Sequence, residues 1–235
     1  MKKMVTTLAA LAIVAVVACP AFAANAVRIS QVYGGGGNAG ATYTNDYVEL
    51  YNSSAVSIDI SGWSLQYNSA TGTTDLGTCT NCLTILPQGS CIGPNGYFLI
   101  QLAAGTNTAP PPLPVTPDYA SPQATANNLS ATNGKIALKN NSVTTPCSPT
   151  TAFVDLVGYG TANCAEGLAA GGLSNSSGAV RNLGGAQDSD NNNLDFTVTA
   201  NPVPHNSHTP GLPPPDCNPV PAKNTTWGAT KATYR

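Results

Sequence analysis

The sequence predicts an all-β protein, an antiparallel β-sandwich with long loops and a proline-rich C-terminal tail. Three observations predict it. Short runs alternate apolar and polar residues: Val56, Ile58 and Ile60; Trp63, Leu65 and Tyr67; Ile136 and Leu138. A period of two places one side of each strand in the core and the other in water. Turn formers separate the runs at Ser61-Gly62, Pro94-Asn95-Gly96 and Asn133-Gly134, where glycine and asparagine supply the dihedrals a reversal needs. No segment carries a 3.6-residue apolar stripe long enough for a core helix, and short strands with polar turns pack as two layers.

The elements follow in chain order. Residues 1–23 read as a signal peptide. Lys2 and Lys3 precede the apolar stretch Thr6–Ala18, Pro20 breaks it, and Ala21-Phe22-Ala23 offers a small-x-small cleavage site. The stretch is shorter than the roughly 20 residues that span a bilayer, so no transmembrane segment is expected in the mature chain. Val16-Val17-Ala18-Cys19 offers the alternative of a lipid anchor on Cys19. Either route places the protein in the secreted or cell-surface compartment.

Strands are expected at Val27–Tyr33, Asp46–Tyr51, Val56–Ile60, Trp63–Tyr67, Gly96–Leu102, Lys135–Lys139, Phe153–Tyr159 and Leu194–Thr199. They define one domain over residues 27–201, with Ile60, Trp63, Leu65, Phe98, Ile100, Leu138, Val154 and Leu156 feeding its core. Ala109–Pro122 is a proline-rich surface loop with polyproline character. Residues 202–235 form the tail. Trp227, Lys231 and Tyr234 near its end could share a helical face, giving either a terminus packed on the body or a sorting segment.

Charge is sparse. Nine Lys and Arg stand against eleven Asp and Glu, with charged residues at 9%. No basic run exists, which argues against nucleic acid as a partner. Beyond Cys19 lie Cys79, Cys82, Cys91, Cys147, Cys164 and Cys217. An even set in an exported chain predicts disulfides. Cys147 and Cys164 flank the apolar run Ala152–Tyr159 and are the favoured pair. Cys217 then takes Cys79, Cys82 or Cys91 and ties the tail to the body. Zinc at Cys79-Thr80-Asn81-Cys82 lacks a second ligand pair at ordinary spacing.

Read together, the runs resemble the lamin tail domain family in its bacterial exported form. The resemblance rests on Ile29-Ser30-Gln31-Val32-Tyr33 with Gly34–Gly37, then Asn45-Asp46-Tyr47-Val48-Glu49-Leu50-Tyr51-Asn52, and then Ile60-Ser61-Gly62-Trp63-Ser64-Leu65. Gly96-Tyr97-Phe98-Leu99-Ile100, Asn133-Gly134-Lys135-Ile136-Ala137-Leu138, Val154-Asp155-Leu156-Val157-Gly158-Tyr159 and Asp188-Ser189-Asp190 continue in the same order. The resemblance implies an immunoglobulin-like sandwich used for binding, anchoring or assembly.

Gly35-x-Gly37-x-x-Gly40 fits a dinucleotide fingerprint, but Ala41–Asp46 leads into a strand, and without a helix no amide cluster meets a pyrophosphate. The plainer reading is a loop whose glycines permit unusual backbone angles. Beside it, Tyr33, Tyr43 and Tyr47 are the expected binding surface, since aromatics give contact area at low entropic cost. Asp188, Asp190, Asn192 and Asp195 could supply oxygens to Ca²⁺; the alternative is an Asx-rich turn that satisfies backbone amides. No other cofactor is expected. His205 and His208 read as solvated loop residues among prolines. Asp46 and Glu49 fall on opposite strand faces, and no Gly-x-Ser-x-Gly elbow occurs. The function expected is therefore non-enzymatic, with a protein or cell-envelope partner met through end loops or a sheet edge. A metal-dependent hydrolase, or its accessory, built on the acidic loop is the alternative.

Overall fold

The computed structural model describes residues 26–217. The signal peptide expected at residues 1–23, Cys19 and the Trp227–Arg235 segment lie outside the described residues. Strands β1 (Val27–Tyr33), β2 (Asn45–Asn52), β7 (Tyr97–Ala104), β8 (Tyr119–Ala120), β11 (Ser177–Arg181) and β12 (Phe196–Ala200) form a six-stranded sheet in the order β12-β11-β1-β2-β7-β8. Strands β4 (Ser64–Ser69), β5 (Leu83–Ile85), β9 (Gly134–Lys139) and β10 (Asp155–Tyr159) form a second sheet in the order β10-β9-β4-β5. The short β3 (Ile58–Asp59) and β6 (Cys91–Ile92) pair with each other. The pairings are antiparallel except β7 with β8. One helical turn, α1 (Asn192–Asp195), precedes β12.

Alternation closes the two layers. Val27, Ile29, Val48, Leu50 and Ile100 from the first sheet share a core with Leu65, Tyr67, Ile136, Leu138 and Val157 from the second. Ile60, Trp63 and Phe98 join them, and Val154 packs at the margin. Each fully buried aliphatic side chain contributes about 1.5–3 kcal/mol. Leu156 points the other way, onto the outer face of the second sheet with Leu76 and Ala137.

The faces expected to be wet are dry. Strands β2 and β9 are buried along their whole length. Loops fold back over both sheets. On the second sheet, Leu76, Phe153 and the Cys147–Cys164 disulfide cover Ala137 and Leu156. The buried Lys135 amine donates to Gly72 O at 2.6 Å and to Asn163 Oδ1, and burial lowers its pKa. Val56, expected on the buried side, is exposed because β3 begins only at Ile58.

A polar key joins the layers. Arg181, fully buried on β11, donates from Nη2 to Asp155 Oδ2 on β10 at 2.7 Å and from Nε to Ile29 O on β1 at 2.8 Å. Asp155 Oδ2 in turn accepts from Ile29 N at 2.6 Å. The guanidinium also lies over the Phe196 ring, 4.5 Å from its centroid. One cation thus fixes three strands from two sheets.

Candidate functional site

The structure divides the four oxygen donors expected to gather around calcium: Asp188 and Asp190 stay close, while Asn192 and Asp195 turn inward. Asp195 turns inward: its Oδ2 accepts from Ser189 N at 2.9 Å and its Oδ1 from Ser189 Oγ at 2.7 Å. Burial alone would raise this carboxyl, but the hydrogen bonds from Ser189, Asn191 and Gln187 outweigh it and hold it below its usual value. Asn192 is buried against β10, accepting from Gly158 N at 2.8 Å and donating to Leu156 O at 2.9 Å. Asp188 takes Arg28 Nε at 2.8 Å and Arg181 Nη1 at 3.5 Å. The loop is an Asx-rich turn that caps α1 and a strand edge, so the quartet is no cage.

A different trio meets instead. Carboxylate oxygens of Glu166, Asp188 and Asp190 lie within 4.8 Å of one another, beside a cleft of about 450 Å³ lined by Thr150, Thr151 and Phe153. Sequence spacing gave no sign of Glu166; the return after β10 brings it in, and its Oε1 accepts from Leu156 N at 3.3 Å. Burial, then the neighbouring Asp155, pushes its carboxyl up to about 8. At neutral pH Glu166 therefore keeps its proton, and Asp188 is already shared by two guanidinium groups. Ca²⁺ wants six to eight oxygens. Isothermal titration with calcium chloride at pH 7 is expected to stay flat to millimolar metal. Saturable heat that vanishes in Asp190→Ala would contradict this.

Tyr33, Tyr43 and Tyr47 also need correction as a binding surface. Tyr33 and Tyr47 have no exposure and Tyr43 has 7%. They lie on the outer face of the six-stranded sheet, ring on ring at 5.5–6.2 Å, under Leu113 and Val115 of the proline-rich loop and under the segment that follows β12. Tyr33 Oη donates to Asn175 O at 2.7 Å, Tyr43 Oη to Pro202 O at 2.9 Å and Tyr47 Oη to Gln31 Oε1 at 2.8 Å. Burial raises all three hydroxyl pKa values. Gly34–Gly37 are equally enclosed, while Asn38, Ala39 and Gly40 at the tip of the loop stay exposed. A Cβ on Gly35 would lie 2.2 Å from Asn175 O, and one on Gly36 2.2 Å from the Asn45 carbonyl carbon. Asp46 holds this loop, accepting from Gly36 N at 2.8 Å and Leu129 N at 2.9 Å. β2 follows the loop, so no helix presents amides to a phosphate.

Residues 202–217, read from the sequence as part of a tail, run back over the aromatic face. Glu49, fully buried there, accepts from Ser30 Oγ at 2.6 Å and His205 N at 2.5 Å, and His205 Nδ1 lies 3.2 Å away. The imidazole stacks on Tyr97 at 4.6 Å. His208 stays exposed as expected, and His205 is half-buried. The Glu49 hydrogen bond raises the His205 pKa against an opposing effect of burial. A raised imidazole contributes stability that is complete below its ordinary 6.5 and is lost as pH rises through the folded-state value. Denaturant midpoints should fall as pH rises across that window, and His205→Gln should abolish the fall.

With both outer faces covered, the edges remain. The outer edge of β10 is capped: Ala170 N donates to Gly158 O at 2.8 Å, and Asn192 bonds both Leu156 and Gly158. β5 and β8 have three and two residues. β12, Phe-Thr-Val-Thr-Ala, pairs only with β11 among the described strands. It carries neither charge nor proline, the usual guards of an edge. Val198 is 40% exposed, and Leu194 in the turn that precedes the strand 57%.

The remaining disulfides join Cys79 to Cys82 and Cys91 to Cys217. Three disulfides fit an oxidising compartment. No helix among the described residues is long and apolar enough to cross a membrane.

Comparison with known proteins agrees with this geometry. A family model described as Lamin Tail Domain matches residues 20–161. Among solved structures, a DUF4876 family protein from Bacteroides thetaiotaomicron VPI-5482 is similar, with a TM-score of 0.51 and 13% identity, over 83% of this chain and 75% of that one. At that identity the likeness is one of fold. No curated protein matches the chain. The family match spans more than half of the sequence and takes in β1 to β10, both layers of the immunoglobulin-like sandwich: the chain belongs to the lamin tail domain family.

Proposed function

We propose that the chain is an exported, non-enzymatic binding or assembly module that takes an extended segment of a protein or cell-envelope partner onto the edge of β12. The open main chain of this uncharged strand carries the reading. Strand addition supplies main-chain hydrogen bonds, and alternate side-chain contacts supply selectivity. Here Phe196, Val198 and Ala200 alternate with Thr197 and Thr199. The aromatic face cannot serve while the chain's own residues occupy it.

Lysine on an edge strand opposes pairing through the cost of desolvating its charge. Thr197→Lys with Val198→Lys should therefore reduce retention of envelope-fraction proteins on the immobilised chain by about tenfold, equivalent to ~1.4 kcal/mol. The melting temperature should stay within a few degrees of wild type, and Asp190→Ala should retain wild-type binding. Unchanged retention in the lysine variant sinks the edge reading.

The acidic cleft is the feature that supports the hydrolase alternative, and that reading requires Asp190→Ala to lose activity with folding intact. The sorting alternative concerns Trp227–Arg235, and deletion of that segment followed by measurement of secretion tests it.

A further inference from the structure

We infer that residues 202–217 form an exchangeable arm, able to leave its own sheet and seat on the same face of a second copy of the chain. The inference concerns a different surface from β12 and stands apart from the function proposed above.

The arm makes no strand pairing with the body. Its attachments run through side chains at spaced points. Tyr43 Oη donates to Pro202 O at 2.9 Å, Gln31 Nε2 to Val203 O at 3.0 Å, and Glu49 accepts from His205 N at 2.5 Å. Farther along, Asn206 Nδ2 donates to Thr116 O at 2.8 Å, Ser207 N to Asp118 Oδ2 at 3.0 Å, and Asp216 N to Ser57 Oγ at 3.0 Å. These hydrogen-bonding partners on the receiving side all come from residues 31–118, with Gly178 packed beside Pro202 at the junction, so a second copy presents the same set of partners. Aromatic rings with side-chain donors aimed at the carbonyls of a proline-containing extended segment make a peptide-recognition groove. This one holds its peptide in cis.

The junction suits exchange. Asn201, at the end of β12, is exposed and has a φ of +48°. Pro202 and Pro204 keep the arm extended when it is detached, which limits the entropy lost on reseating. The one covalent tie of the arm joins Cys217 to Cys91, 126 residues apart. Until that bond forms, a neighbouring copy competes with the intramolecular seat, and concentration decides between them. Oxidation then fixes the outcome. Cys217 thiolate attacks a small-molecule disulfide such as oxidised glutathione and releases one thiolate. Cys91 thiolate attacks the mixed disulfide and releases the second. The oxidant gains the two electrons that the cysteines lose, and the protein gains one S–S bond.

Two variants of the full chain test this, Cys91→Ser and Cys217→Ser, each verified as folded by circular dichroism. Neither can close the bond within itself. Mixed at high concentration in a glutathione redox buffer, they should give a reducible dimer bridged from Cys91 of one variant to Cys217 of the other, identified by peptide mass spectrometry. Each variant alone should give at least tenfold less dimer. No dimer, or only Cys217–Cys217 and Cys91–Cys91 bridges, overturns the inference. Should either variant fail to fold, wild-type chains labelled with ¹⁴N and ¹⁵N are reduced, mixed and reoxidised together. Cys91–Cys217 peptides of mixed isotope content then support exchange, and peptides of a single isotope overturn it.

Discussion

Arg181→Met should lower folding stability by about 3–5 kcal/mol, the usual result of stripping one partner from a buried ion pair. The substitution keeps the length of the side chain but leaves Asp155, with 4% side-chain exposure, without its cation. Ile29 O loses its guanidinium donor, and Gln187 O loses the Nη1 contact at 3.1 Å. Because Arg181 reaches β1, β10 and the turn after β11 together, the loss loosens both layers. Replacing both members, as Asp155→Leu with Arg181→Met, should recover part of the stability, because Asp155 is then no longer left unpaired, although the buried Asp195, 3.8 Å from Arg181 Nη1, still loses its cation. Chemical denaturation of the two variants beside the wild type measures this. Equal losses in the single and double variants would show that the guanidinium acts through packing over Phe196 alone.

Removing the Cys91–Cys217 bond should cost about 2–5 kcal/mol, since cross-links that span long loops remove the most freedom from the unfolded chain. The sequence separation is 126. Cys79–Cys82, with a separation of 3, is expected to matter far less. The two losses differ in kind as well as size. Without Cys91–Cys217, the arm keeps its hydrogen bonds, the buried Pro202 and Pro204, and the stack of His205 on Tyr97. Limited proteolysis should then cut between residues 205 and 217, at a rate that increases as pH rises and the imidazole loses its proton. Melting curves of the paired Ala variants, with and without protease, separate these effects.

Much of the sandwich was legible because alternation reports one buried face directly. β1, β2, β4, β7 and β9 fall where the apolar period places them. β10 shows the limit of that signal. Both of its faces are covered, so Leu156 and Val157 are equally apolar and the sequence does not reveal which one enters the main core. β11 escapes the apolar period because crowding against β1 selects small residues: a Cβ on Gly178 would lie 2.9 Å from Val32 O. Leu194 looked like strand and instead sits in α1, whose Asn191 side chain accepts from Asn193 N. The tyrosines were recognised as a cluster but given the wrong surroundings. Their cover comes from residues 109–116 and 202–209, whose proline content reads as exposed loop. Proline lacks an amide donor, so these segments can also lie on an aromatic face with few donors left to satisfy. Glu166 and His205 acquire their partners through contacts across long sequence separations, which local spacing does not encode.

The central claim is that the chain seals its sheet faces with its own loops and meets a partner at the β12 edge. Site-specific photocrosslinking in the full chain tests it most directly, with a photoreactive residue placed at Val198 in one protein and at Tyr47 in another. Adducts from position 198, with position 47 yielding only links to the chain's own residues, are the outcome the proposal predicts. Partner adducts from position 47 and none from position 198 would contradict it.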